Sequence, residues 1–294
     1  MIIDAHQHVW DLDRVAYPWL GRQHGPIHRT VAQEEVLPRL RAHGVDGVVL
    51  VQAADDDADT ALMLGTAAAH PAVVAVVGYV PLEDPDATAA RLPALAADPL
   101  VVGIRNLIHD RPDADFLLRP EVRESLGLVA AAGLAFDVVG VLPRHLEHVP
   151  VLAAEHPGLR LVVDHLGAPP LDGPPADLDR WRGLLARAAE APQVHAKVSG
   201  LYPDGGLDAR SPALLRPVVA HAVEVFGPER LMYGGDWPVS LLAGGYDAVW
   251  DSVHPLLAGL GADAAAAVLG GTAARVYRVD PALLAAAAAS GERA

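Results

Sequence analysis

The chain of 294 residues contains no cysteine, few basic residues and no long uncharged apolar run. The absence of cysteine excludes disulfide bonds, thiolate metal ligands and a cysteine nucleophile, and it is compatible with a reducing cytoplasm. Lysine and arginine number 22 against 37 aspartate and glutamate residues, which gives a net charge of −15. Because no segment is rich in lysine or arginine, this charge argues against nucleic acid or an anionic membrane as a partner.

Targeting and membrane-spanning segments are also missing from the sequence. The chain passes from Met1 directly into an apolar strand, without the basic and apolar regions of a signal peptide. No apolar run approaches the roughly 20 residues that a membrane-spanning helix needs. We therefore expect a soluble protein that resides in the cytoplasm.

Two common catalytic signatures are absent as well. No glycine-rich phosphate loop follows the first strand, which weakens a dinucleotide-binding interpretation. No Gly-x-Ser-x-Gly segment is present, which leaves a serine-nucleophile hydrolase without support.

What the chain does contain is a regular alternation of apolar strands and helical segments. The candidate strands are Ile2–His8, Val45–Gln52, Val73–Val80, Leu100–Asn106, Leu134–Val139, Leu159–His165, Val194–Ser199 and Leu231–Asp236. Seven helical segments lie between them, at Ala32–Ala42, Thr60–Ala69, Asp86–Ala97, Glu121–Ala132, His145–His156, Leu178–Ala191 and Leu214–Phe226. Eight strands in a chain of somewhat more than about 250 residues predict a (β/α)8 TIM barrel, formed by a single domain over residues 1–294.

The longest connections after strands indicate which end of the barrel carries the site. They run from Val9 to Thr30, from Gly167 to Ala176 and from Gly200 to Pro212. In such barrels the site lies at the carboxyl ends of the strands and is built by these loops. The aromatic residues of the first loop therefore either form a lid or pocket wall, or they only pack the loop against the barrel.

The first strand ends in His6-x-His8, a pair that leaves a strand on one face. By the same alternation Asp4 lies on the face of the two histidines, and Ile3, Ala5 and Gln7 lie on the other. Paired imidazoles can bind a divalent ion or polarise a carbonyl oxygen, although they can equally be solvated or buried histidines without a function.

Further polar residues end other strands. His165 ends the sixth strand, Asp236 the eighth and Arg105 the fourth. In the seventh strand His195, Lys197 and Ser199 share one face, and the opposite face is apolar. Since the outer face of a barrel strand packs on helices, we expect the polar face to point into the lumen, where a lysine must be paired or used.

Several segments together resemble the amidohydrolase-related family of the amidohydrolase superfamily, most closely its sugar-lactonase branch. The segments are Asp4–Trp10, Gly103–Arg105, Val163–Pro169, Lys197–Leu201, Phe226–Val239 and Gly271–Tyr277. The resemblance implies a (β/α)8 barrel and a hydrolase that opens a small lactone. It places the family's histidines on His6, His8 and His165, and its strand-eight aspartate on Asp236.

The resemblance implies that Asp236 is the general base for the attacking water and that the histidines polarise the lactone carbonyl. Arg105 and Lys197 are further candidates for oxyanion stabilisation. One divalent ion, for which zinc is best suited, could be held by some of His6, His8, His165 and Asp236. The resemblance also leaves a metal-independent enzyme open, and two ions are disfavoured because no bridging ligand matches on strand four.

For the substrate we expect a polyhydroxylated sugar-acid lactone rather than a dicarboxylated one, since two carboxylates usually require several arginines. Candidate substrate-binding residues are Trp10, Gln52, His109, Tyr202 and Trp237. The alternatives are a metal-dependent decarboxylase or amide hydrolase on the same barrel, and a non-catalytic barrel that binds a small molecule. The sequence leaves the oligomeric state open.

Overall fold

A computed structural model describes residues 1–109, 111–202 and 212–290 of the chain. Its centre is one sheet of eight parallel strands in the order β1 to β8. They are β1 (Ile3–Gln7), β2 (Gly47–Val51), β3 (Val73–Gly78), β4 (Val101–Arg105), β5 (Ala135–Val138), β6 (Arg160–Val163), β7 (Val194–Val198) and β8 (Leu231–Tyr233). The sheet closes between its first and last strands, where Gln7 pairs with Trp237.

Helices follow the strands along the chain and surround the sheet. They are α1 (Leu37–Ala42), α2 (Asp57–Ala69), α3 (Pro85–Ala97), α4 (Pro120–Ala131), α5 (Pro143–Glu155), α6 (Pro175–Ala189), α7 (Pro212–Phe226), α8 (Tyr246–Ala258), α9 (Ala262–Ala266), α10 (Thr272–Val276) and α11 (Pro281–Ala289). The predicted (β/α)8 barrel is confirmed, and every predicted strand contains an observed one. Within the described ranges, no helix is both long and apolar enough to cross a membrane.

The strands are buried on both faces because the lumen covers one face and the helices cover the other. All residues of β2 and β3, for example, are buried, which explains their continuous valine-rich sequences. Short connections return the chain to the next strand through left-handed glycines. Gly44 and Gly133 have φ angles of 66° and 74°, a conformation that side chains disfavour.

A bulge in β1 corrects the predicted orientation of its residues. Asp4 pairs with Val48 and Gln7 with Leu50, so three steps along β1 match two along β2. The extra residue places Asp4 on the face of Gln7, whose amide donates a 2.6 Å hydrogen bond to it. Asp4 also accepts a hydrogen bond from Tyr246 of α8. It therefore points away from the two histidines, and strict alternation was wrong at this position.

The C-terminal segment reaches back to the sheet. Ala273, Val276 and Tyr277 belong to the same buried apolar cluster as Ile3 of β1 and residues of β2 to β6 and β8. The Tyr277 hydroxyl donates a 2.7 Å hydrogen bond to Asp137 of β5. A residue from beyond all eight strands thus completes the polar interior of the sheet.

Candidate active site

A pocket of about 280 Å³ lies at the carboxyl ends of the strands. Its polar lining comes from strand ends and from the loops that follow them, at His8, Arg105, His109, His165, Tyr202 and Asp236. The remaining lining is mostly apolar and includes Trp19, Ala53, Leu107, Val139, Val141, Ala168 and Val239. This position matches the end of the barrel at which a site was expected.

The two histidines of the first strand meet at the base of the pocket. Their Nε2 atoms are 3.1 Å apart. The Nδ1 of His8 lies 2.7 Å from the carbonyl oxygen of Val51, which can only accept, so His8 carries a proton on Nδ1. Burial and the nearby positive charge of Arg105 together lower the pKa of His8 to about 3. Burial also lowers the pKa of His6 well below its usual value, so both imidazoles are neutral at neutral pH.

The segment after β6 brings His165 to the site through an unusual turn. His165, Leu166, Gly167 and Ala168 have φ angles of 55°, 52°, 70° and 54°, all in the left-handed region. The turn directs His165 to Ser199, whose hydroxyl lies 2.9 Å from the Nδ1 of His165. The other ring nitrogen is left for the pocket. Non-glycine residues in this conformation store strain, a feature common at functional sites.

Glycine is required next to this histidine. Gly200 has a φ angle of 57°, and a Cβ atom at that position would lie 2.3 Å from the Nδ1 of His165. The Lys197–Leu201 motif therefore includes a glycine because the strand end must pass close to the imidazole.

Beneath the histidines lie four charged groups, which we call the ion network: Arg105, Asp137, Asp164 and Lys197. The ammonium group of Lys197 is 2.6 Å from Asp137 and 3.0 Å from Asp164. Asp164 also accepts a 2.9 Å hydrogen bond from Arg105. All four side chains are almost completely buried. The expectation that Lys197 points into the lumen and is paired there is confirmed.

The two carboxylates of the ion network differ in their proton affinity. Burial alone would raise the pKa of Asp164, but Lys197, His6 and Arg105 together hold it well below its usual value. Burial raises the pKa of Asp137 to about 6, although Lys197 and Tyr277 donate hydrogen bonds to it. Sequence reasoning missed Asp164. Its position beside His165 at the end of an apolar strand was the available signal.

Asp236 has a different environment from the carboxylates of the ion network. Its Oδ1 lies 3.5 Å from the Nε2 of His8 and 3.7 Å from that of His6. The hydroxyl of Tyr202 donates a 3.5 Å hydrogen bond to the carbonyl oxygen of Gly235, the residue before Asp236. Among the described residues, no lysine or arginine lies within 4 Å of this carboxylate. The pKa of Asp236 is raised to about 6, because the effect of burial is only partly offset by His165 and Arg105.

Close packing of β8 against β1 fixes the position of Asp236. A Cβ atom on Gly234 would lie 2.7 Å from the Cβ of His6, and one on Gly235 would lie 2.3 Å from the ring of Tyr246. The backbone nitrogen of Asp236 donates a 2.8 Å hydrogen bond to the carbonyl oxygen of His6. The two glycines before Asp236 therefore allow the eighth strand to approach the first.

The predicted substrate-binding residues separate into two groups. His109 and Tyr202 line the pocket, whereas Trp10 and Trp237 do not. The Trp10 ring is buried under the first loop, where its Nε1 donates to the carbonyl oxygen of Arg29. Trp19 of the same loop lines the pocket instead, and the sequence could not distinguish the two.

Gln52, the fifth predicted substrate-binding residue, holds Arg105 rather than facing the pocket. Its side-chain amide donates a 2.8 Å hydrogen bond to the backbone carbonyl oxygen of Arg105, and the backbone carbonyl oxygen of Gln52 accepts from the guanidinium. Gln52 is completely buried. Gln52 therefore lies behind Arg105 and supports it.

Three side chains fit a divalent metal ion. His6, His165 and Asp236 each offer a ligand atom, and these atoms lie within 4.8 Å of one another. Neutral imidazole and carboxylate ligands suit zinc. The residues present are therefore compatible with one zinc ion.

Comparison with known proteins defines the family. The amidohydrolase family model matches residues 3–279, which is nearly the whole chain. The chain belongs to the amidohydrolase family. This result confirms the resemblance found in the sequence motifs and the prediction of an enzyme of the hydrolase class.

Relatives of this amidohydrolase cover almost the same length. The L-fucono-1,5-lactonase of Burkholderia ambifaria is 36% identical over 284 residues, which cover 95% of this chain and 96% of that protein. A crystal structure of an amidohydrolase from Burkholderia multivorans with bound zinc has a TM-score of 0.86 at 32% identity, with 95% of this chain and 100% of that chain covered. A second crystal structure from that organism, with bound HEPES, has a TM-score of 0.88 at 33% identity and the same coverage.

Proposed function

We propose that this amidohydrolase opens a neutral sugar-acid lactone by attack of water, with Asp236 as the general base. The observation that carries the proposal is the environment of Asp236, a buried carboxylate on the pocket wall that has no lysine or arginine within 4 Å among the described residues. A carboxylate whose pKa is raised to about 6 is ionised at neutral pH and is a stronger base than an exposed one. The similarity to an L-fucono-1,5-lactonase supports the reaction class.

In the proposed reaction, Asp236 takes a proton from water while the water oxygen attacks the carbonyl carbon of the lactone. The carbonyl oxygen becomes an oxyanion, and Arg105 and His165 are the groups on the pocket wall that stabilise it. When the intermediate collapses, the bond to the ring oxygen breaks. The proton held by Asp236 passes to that oxygen, and the product is an open hydroxy acid.

Tyr202 and the ion network support this step. Burial and the neighbouring Asp236 raise the pKa of Tyr202 well above its usual value, so the phenol keeps its proton and can donate to Asp236. Asp164 and Gln52 hold the guanidinium of Arg105 from two sides. Both contacts restrict the orientation of groups that face the substrate.

A metal ion, if bound, would be held by His6, His165 and Asp236 and would supply a Lewis acid for the carbonyl oxygen.

The cations of the pocket favour a neutral substrate. Among the described residues that line the pocket, Arg105 is the only arginine, and Asp164 already pairs with it. The loop arginines that could have covered the site are engaged elsewhere: Arg29 pairs with Glu35, and Arg111 with Asp55 and Glu83. Arg14 and Arg22 do not line the pocket, and Arg210 lies outside the described residues. A dicarboxylated lactone would lack the several guanidinium partners that it usually requires.

A panel of lactones, followed by acid release with a pH indicator, tests the proposal. The panel contains five- and six-membered aldonolactones and 2-pyrone-4,6-dicarboxylate, and Asp236→Asn serves as the control for each compound. We expect acid release from the aldonolactones and a higher kcat/KM for them than for the dicarboxylate. No acid release from any lactone would overturn the reaction class, and a preference for the dicarboxylate would overturn the substrate class alone.

A further inference from the structure

The ammonium group of Lys197 faces three acceptors at once. Besides Asp137 at 2.6 Å and Asp164 at 3.0 Å, its Nζ lies 3.1 Å from the Nδ1 of His6. An ammonium group donates three hydrogen bonds and accepts none. The contact with His6 is therefore favourable only if Nδ1 carries its lone pair, which places the proton of a neutral His6 on Nε2.

The opposite side of the His6 ring agrees with this assignment. Its Nε2 lies 3.1 Å from the Nε2 of His8. Because the Nδ1 of His8 donates to the carbonyl oxygen of Val51, the Nε2 of His8 carries a lone pair. A proton on the Nε2 of His6 then donates to His8, and a continuous hydrogen-bond chain runs from Lys197 through His6 and His8 to Val51.

A second arrangement of protons uses the other neighbours of the same ring. With the proton on Nδ1, His6 would donate to Asp164 at 3.3 Å and accept from Arg105 at 3.4 Å. Both of these contacts are longer than the two in the first arrangement. The two 3.1 Å contacts would then be unfavourable. The Nδ1–H of His6 would face the Lys197 ammonium, which is also a donor, and the lone pair on its Nε2 would face the lone pair of His8. The first arrangement is therefore the better one for the protein without a metal.

The two arrangements differ in what they offer a metal ion. A zinc ion needs a lone pair on the ligating nitrogen, and the Nε2 of His6, which faces His8 and Asp236, has one only in the second arrangement. We propose that Lys197 is a positioning residue that holds the proton of His6 on Nε2 and thereby weakens metal binding at His6. Asp164 acts in the opposite direction. It is the acceptor for a proton on the Nδ1 of His6, and that tautomer leaves the Nε2 of His6 able to bind a metal ion. This inference goes beyond the proposed function and is independent of which substrate the enzyme opens.

The tautomer can be measured directly in the metal-stripped wild-type protein. Nitrogen-15 labelling of histidine and long-range proton–nitrogen correlation spectra distinguish protonated from unprotonated ring nitrogens. The signals of His6 and His8 are assigned by their loss in His6→Gln and His8→Gln. We expect the proton of His6 on Nε2 and that of His8 on Nδ1. A proton on the Nδ1 of His6 would overturn the proposal without the need for any further variant.

The effect on metal binding is tested with a charge-matched pair of variants. Asp137→Asn with Lys197→Met removes one charge of each sign and leaves Asp164 paired with Arg105. Asp137→Asn alone is the control, since it keeps the contact between Lys197 and His6. Zinc affinity is measured by competition with a chromophoric chelator, separately from any activity. We expect the double variant to bind zinc at least about tenfold more tightly than both the wild type and the control, the scale typical of residues that orient metal ligands.

The double variant should also show its His6 proton shifted to Nδ1, toward Asp164. Zinc affinity in the double variant equal to or below that of the wild type contradicts the proposal. Failure of the lactone panel would leave both the spectra and the zinc titration interpretable, because neither uses a substrate.

Discussion

The ion network and the pocket wall above it contain the same residue type, aspartate, in opposite situations. Asp137 and Asp164 each have a cation within 3.0 Å, whereas Asp236 has none within 4 Å among the described residues. The pKa of Asp164 is held low, whereas burial raises the pKa of both Asp137 and Asp236 to about 6, so what separates Asp236 from the other two is the absence of a close cation. Under the function proposed above, the paired carboxylates hold the structure in place, and Asp236 is the carboxylate that acts as the base. The first group should therefore matter mainly for stability and the second mainly for rate.

The largest effect that we predict on stability comes from removing Lys197, one of the two cations of the ion network. Lys197→Met leaves Asp137 buried without a cation, and breaking a buried pair in this way costs about 3–5 kcal/mol. Adding Asp137→Asn removes the uncompensated charge and should recover much of that loss. Chemical denaturation of the wild type, the single variant and the double variant measures both free-energy changes. Equal losses in the two variants would show that charge pairing is not what stabilises this region.

For Asp236 on the pocket wall, the comparison predicts a large loss of activity without a loss of stability. Asp236→Asn removes the base, so kcat/KM on the best lactone should fall at least about 100-fold. Its free energy of unfolding should not fall, because the raised pKa means that burial disfavours the ionised side chain and a neutral amide avoids that cost. Turnover near the wild-type level would remove Asp236 from the mechanism. A large loss of stability would show that Asp236 belongs functionally with the ion network.

A smaller effect on kcat/KM is expected from lowering the pH. The base is active when ionised, so kcat/KM should decrease as the pH falls through the raised pKa of Asp236, which is about 6. Below that value the loss should approach tenfold for each pH unit. The charged and titratable groups around Asp236 are His6, His8, Arg105, Asp164, His165 and Tyr202. A pH profile that is flat down to pH 5 would contradict the assignment of Asp236 as the base.

The smallest effect on kcat/KM should come from substituting His195, which lies two residues before Lys197 on the same strand. Its side chain is buried, and burial and Arg275 lower its pKa to about 4. It does not line the pocket and has no contact with the ion network among the described residues. We therefore predict that His195→Gln changes kcat/KM by less than about twofold, since the change is remote from the reacting groups. A loss of tenfold or more would extend the active site along β7.

The sequence predicted the barrel well because its strands are apolar runs with clear ends. It also placed His8, Arg105, His165 and Asp236 at one end of the sheet, since parallel strands end together. Prediction failed where the backbone leaves the regular strand. The bulge in β1 reversed the orientation of Asp4, and the left-handed turn after β6 brought Asp164 and His165 to the site together.

Loop conformation was the second limit. Trp10 and Trp19 lie in one long connection, and nothing local distinguishes the buried ring from the one that reaches the pocket. Which indole is buried depends on the hydrogen bonds that each makes with a distant carbonyl group, of Arg29 or of Ala53. Such contacts are decided by tertiary structure and leave no pattern in the sequence.

The hydrogen bond from Tyr277 to Asp137 has a consequence for protein synthesis. Translation proceeds from the N-terminus, and a nascent chain that has produced β8 still lacks the tyrosine that completes the polar interior. All the side chains that line the pocket are made before residue 240, so Tyr277 and its hydrogen bond to Asp137 come after them. The hydrogen bonds of the ion network are therefore complete only once the C-terminal segment has been made.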